Sequence, residues 1–167
     1  MTNNDLLRSL RYALELDNNT LVALVASGSD GKHELSLRQL ASMLKADDEP
    51  GFEAMPDGLL ALLLDGLIVK YRGKREPAPG AARLPPEALT NNRILRALRI
   101  ALSLKDADLV AIFALAEVAV TKSELGALFR REDHRNYQPC GDQFLRNFLR
   151  GVGLWHRQGR PLTAASS

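Results

Sequence analysis

The sequence predicts an all-α protein of two tandem four-helix units packed as a pseudo-two-fold pair. Three observations predict it. Aromatic residues are 5% of the 167, too few for the strands of a sandwich or barrel, which lean on Tyr, Phe, Trp and β-branched residues. Leu, Ala and Arg dominate instead, and all three favour helix. The chain also contains one unit twice. Thr2–Leu24 reads TNNDLLRSLRYALELDNNTLVAL and Thr90–Ile112 reads TNNRILRALRIALSLKDADLVAI, with thirteen of 23 positions identical at an offset of 88. From Leu40 the match resumes at an offset of 85, and the length change falls in the Gly/Ser-rich stretch SGSDGKHELS, where a loop absorbs it.

Each element has its own reason. The first helix is expected over Asn4–Leu16 and Asn92–Leu104. Leu7, Leu10 and Leu14 form an apolar stripe repeated by Leu95, Leu98 and Leu102, and the preceding Thr and Asn residues serve as caps. The second helix follows Asp17 and Asp106. The third opens on capping boxes, Ser36 with Gln39 and Thr121 with Glu124. A polar loop follows, DDEPGFEAMP or EDHRNYQPCG. The fourth helix starts near Asp57 or Asp142, each read as a cap, and ends near Gly73 or Gly159, where glycine takes the left-handed conformation.

These signals set the units at 1–73 and 90–160. A linker over 74–89 holds four of the eight prolines and is expected to be extended. The tail 161–167 is expected to be disordered. A unit of about 70 residues is marginal alone, so the two are expected to pack together.

Composition excludes several classes. The single cysteine leaves no internal disulfide framework and no CxxC metal site. No apolar run is long enough to span a membrane, and MTNNDLLRSL lacks the apolar core of a signal peptide. A cytoplasmic protein with no membrane partner is expected. No phosphate-binding glycine loop, HExxH or GxSxG is present. No catalytic residue, metal or cofactor is therefore assigned, and the protein is not expected to be an enzyme.

The doubled TNNxxLRxLRxAL opening, the segment NYQPCGDQFLRNFLRG and the segment DGLIVKYRGK resemble the YehS-like family, small bacterial proteins with two tandem copies of a domain of unknown function. The likeness runs from Thr2 to about Arg157, with the second unit nearer the pattern. The first unit departs from it at 25–36 and at 51–55. The resemblance implies an all-α cytoplasmic protein and brings no activity, cofactor or site residue.

Charge separates the twins. Residues 1–89 hold ten basic and thirteen acidic residues, net −3. Residues 90–167 hold twelve and seven, net +5. Arg93, Arg96 and Arg99 recur at helical spacing opposite the Leu stripe. Arg146 and Arg150 lie one turn apart where the first unit has Ala61 and Asp65, and Arg157 joins them if the helix continues. Arg130 and Arg131 close the third helix. Arginine suits bidentate phosphate contacts, Tyr137 and Trp155 are candidates to stack on bases, and the second and third helices could mimic a helix-turn-helix. The main expectation is a non-enzymatic binding or scaffolding protein, its anion face made of Arg93, Arg96, Arg99, Arg130, Arg131, Arg146, Arg150 and Tyr137, with nucleic acid one candidate partner. Against it stand the mild pI of 8.8 and the ordinary solvated role of helical arginines.

The alternative is an interaction module. DGLLALLLDGLIVKY is apolar nearly all round and must be covered all round. Its flank at Ala61, Leu62, Asp65 and Val69 is expected to meet the other unit, a second copy in a homodimer, or another protein. Cys140 with His134 is the nearest approach to a reactive pair. The first unit has Met55 at the matching place, which favours a packed thiol.

Overall fold

The computed structural model describes residues 1–73 and 89–159; the linker expected over 74–89 and the tail over 161–167 fall almost entirely outside them. The described residues form eight helices and no strand: α1 (Asn3–Ala13), α2 (Asn18–Gly28), α3 (Leu37–Leu44), α4 (Asp57–Arg72), α5 (Asn91–Ala101), α6 (Asp106–Leu115), α7 (Lys122–Phe129) and α8 (Asp142–Arg157). The expected fold class is observed.

Local chemistry sets the starts. Thr2 Oγ1 accepts the Asp5 N–H and the Asp5 carboxylate accepts the Thr2 N–H, closing a capping box on α1. Ser36 and Gln39 do the same for α3. Thr121 accepts the Glu124 N–H, but the reciprocal arm is missing, so the second predicted box is half formed. Asp57 and Asp142 are the first residues of α4 and α8 rather than their caps, which are Pro56 and Gly141. Asp106, after which the second helix was expected to start, is itself the first residue of α6.

The ends correct the expected boundaries. The first helix of each unit stops three residues short, at Ala13 and Ala101. Glu15 and Ser103 turn left-handed at φ 53°, and Leu16 and Leu104 donate back to Arg11 and Arg99. This is a Schellman end built without glycine, so the glycine stop signal was absent. Gly159 follows the C-cap of α8 at φ 70°, as expected, whereas Gly73 is itself the C-cap of α4, with φ 88° and ψ 163°, a positive-φ but extended conformation.

Within each unit the fourth helix packs on the second. The α2–α4 crossing is close: a Cβ on Gly66 would sit 2.0 Å from the Leu24 carbonyl oxygen, and one on Gly28 2.0 Å from that of Leu62. The second unit repeats this at Gly151 against Ile112, but has Ala116 in place of a second glycine. Phe113 fills its core instead, 4.4 Å from the Phe144 ring and 5.6 Å from Phe148.

The units then exchange helices. The last helix of the first, α4, packs on α5, and the last helix of the second, α8, packs on α1. Reciprocal pairing of first with last helices is what a pseudo-two-fold pair requires. One apolar cluster runs through both units, from Leu6 to Trp155. The all-round apolar α4 thus finds its cover inside the chain, between α2 and α5.

Candidate functional site

The TNN motif does more than cap a helix. Asn92 is buried, and its Nδ2 donates to the carbonyls of Leu128 (3.0 Å) and Gln138 (2.9 Å) while its Oδ1 accepts the Cys140 N–H (2.8 Å). Asn91 donates to the Cys140 carbonyl and to Asp142 Oδ1. The pair pins the loop before α8 to the start of α5. Asn3 and Asn4 do the same before α4, through Met55, Asp57, Met43 and Glu53.

So anchored, α8 runs unbroken to Arg157, and Arg146, Arg150 and Arg157 share one face, within about 40° of each other around the axis. That face looks across to α1. Between them lies a groove of about 380 Å³, walled by Ser9, Tyr12 and Ala13 on one side and by Arg146, Arg150, Gly153 and Arg157 on the other. No carboxylate lines it. Arg157 lies over the Tyr12 ring, 4.3 Å from its centroid, and Tyr12 is 70% exposed. A Cβ on Gly153 would make ordinary contact with Ala13 Cα at 3.4 Å and crowd only the flexible end of Arg157, 3.2 Å away, so this crossing is looser than the α2–α4 one. His156 Nε2 lies 3.2 Å from Glu15 Oε2, across the boundary between the units.

The predicted arginines divide into two groups. Those of α5, and Arg130 and Arg131 just past the end of α7, are engaged within their own unit. Arg93 Nε lies 3.1 Å from Glu132, Arg96 donates to the Phe129 carbonyl, and Arg99 pairs with Asp106 at 2.8 Å and stacks on Phe129 at 4.7 Å. Arg130 donates to the Asn136 carbonyl and Arg131 pairs with Asp133. Arg146 and Arg150 are exposed and make no hydrogen bond or close ion pair among the described residues, although the Asp142 carboxylate one turn earlier on α8 attracts Arg146 at longer range. Tyr137 is half-buried in the loop beside Glu132 and Arg93, and burial pushes its hydroxyl pKa up. Trp155 is 7% exposed and cannot offer a face to a base, contrary to the stacking role expected of it.

The flank of α4 is placed as follows. Ala61 is buried, while Leu62, Asp65 and Val69 are half-buried, with the Leu62 carbonyl under Gly28. Cys140 is buried, and burial together with the Asp142 carboxylate pushes its thiol up to about 11. Its Sγ faces the Gly141 carbonyl at 3.6 Å, and His134 Nδ1 accepts the Asn136 N–H instead of reaching the thiol. Among the described residues, no group of three or more His, Cys, Asp or Glu is placed to hold a metal. None of their helices is long and apolar enough to cross a membrane.

Sequence reasoning missed Ser9 and Tyr12. Their equivalents in the second unit are Ala97 and Ile100, and those of Arg146 and Arg150 are Ala61 and Asp65. At the α4–α5 boundary Ala97 and Ile100 replace Ser9 and Tyr12, and Ala61 and Ile68 replace Arg146 and Gly153, while Asp65 and Arg72 keep a charge where the second unit has Arg150 and Arg157. Comparing the repeats wall by wall would have shown it, given the knowledge that α1 faces α8.

These features define a class: a tandem-repeat helical protein whose two like units pair head to tail around one core. The chain belongs to the family described as Protein of unknown function (DUF1456), whose model matches residues 3–73 and again 91–157. It is similar to the uncharacterized protein YehS of Escherichia coli (strain K12), with 45% identity over 152 residues, covering 91% of this chain and 94% of that protein. No solved structure matches the chain.

Proposed function

We propose that the chain is a non-enzymatic binding protein that holds an anionic partner in the α1–α8 groove. One observation carries this reading: Arg146 and Arg150, alone among the arginines of the expected anion face, make no hydrogen bond or close ion pair among the described residues, with Asp142 acting on Arg146 only at longer range, and they open onto a groove that no carboxylate lines. Guanidinium groups free of close internal ion pairs, beside low-dielectric walls, give an anion bidentate contacts at little cost in broken pairs. Arg93, Arg99 and Arg131 would first have to leave Glu132, Asp106 and Asp133. Apolar docking through α4 has less support, because α2 and α5 cover that helix.

The test is calorimetric titration with inorganic tripolyphosphate at low salt. Binding should fade as salt rises, disappear in Arg146→Gln/Arg150→Gln and persist in the control Arg93→Gln/Arg131→Gln. Absence of binding, or equal loss in both variants, overturns the proposal.

A further inference from the structure

We infer that the anion is the backbone of a single-stranded nucleic acid, with one base laid against Tyr12; this rests on the anion-groove reading above. Arg146, Arg150 and Arg157 form a line rather than a ring. At about 1.5 Å rise per residue they span roughly 16 Å of α8, farther than a single phosphate group reaches. A line of cations along an open groove matches a chain of phosphates.

The opposite wall sharpens the choice. Among the described residues Tyr12 is the most exposed of the large apolar side chains, and the Arg157 guanidinium holds one face of its ring. Inorganic polyphosphate has no group that stacks on such a ring, and a polyglutamate chain has only flexible carboxylate side chains to set against it. A single strand does, since groove cations follow its backbone while aromatic rings take its bases. The Ser9 hydroxyl beside the ring can hydrogen-bond phosphate or sugar. A duplex fits less well. Its major groove admits a helix from one side, but the arginine face of α8 lies opposite α1, and α6 packs against the same helix.

Fluorescence anisotropy on the full chain tests this with three labelled probes of about twelve nucleotides: an oligothymidine strand, a blunt duplex and an abasic sugar-phosphate strand. The oligothymidine should bind about tenfold tighter than either other probe, with a log–log salt slope near −2 for three phosphates contacted. Tyr12→Ala should weaken oligothymidine about tenfold, leave the abasic strand unchanged and melt like the parent, since the side chain is exposed; Tyr12→Phe should retain binding. Equal binding of abasic and thymidine strands, duplex binding as tight as single-strand binding, or equal competition by polyglutamate overturns the inference. If no strand binds but tripolyphosphate still does, this inference alone fails and the anion groove stands.

Discussion

Asn4 and Asn92 are buried amides that each satisfy three backbone groups from two other segments. An amide is suited to this because it donates twice and accepts through one group. An aspartate would place a charge against two carbonyls. Asn92→Ala should therefore strand the Leu128 and Gln138 carbonyls and the Cys140 N–H, and cost about 3 kcal/mol, read from the urea midpoint. A cost below about 1 kcal/mol would mean that water replaces the amide and that the clamp does not hold α8 in place. The motif was legible as a cap signal, but its long-range role was not. An N-cap is defined by neighbours in sequence, whereas Asn92 reaches residues 36 to 48 positions away.

At the scale of elements, helix ends and helix crossings differ in how openly the sequence announces them. The ends of α1, α2, α5 and α6 each place a non-glycine residue, Glu15, Asp30, Ser103 or Glu117, in the left-handed region. Glycine would have marked them. The 6→1 and 5→2 backbone bonds hold them there instead. Crossings are marked by glycines whose meaning depends on their neighbours. Gly66→Ala should destabilise by more than about 3 kcal/mol, since its methyl would meet the Leu24 backbone. Gly126→Ala, with nothing within 4 Å, should stabilise α7 by about 0.5–1 kcal/mol. Thermal melts of the two variants should shift in opposite directions. If they shift alike, the α2–α4 crossing is looser than described.

For the molecule as a whole, the two boundaries between units are unequal. The equivalents of Arg146, Gly153 and Ser9 at the α4–α5 boundary are Ala61, Ile68 and Ala97, and Ala97 and Ala61 are both buried. The α1–α8 boundary keeps a groove. One boundary thus supplies cohesion and leaves the other open to a ligand. Because α1 and α4 both lean on the second unit, residues 1–73 alone should lose helical circular dichroism or self-associate, and mixing with residues 89–159 should restore the native signal. If the separated first unit folds as a stable monomer, the contacts between units are not needed for its stability.

The sequence by itself determined the helices, the duplication and the drift in charge between the twins. Helical period, caps and internal identity are local properties of the chain. Tertiary structure decided which arginines are occupied and which open onto a groove. Arg93 and Arg146 look alike as letters; one lies beside Glu132 and the other faces α1 across the unit boundary. A guanidinium's availability depends on the charges within a few ångströms, and the packing of α8 on α1 and of α7 on α5 set those distances.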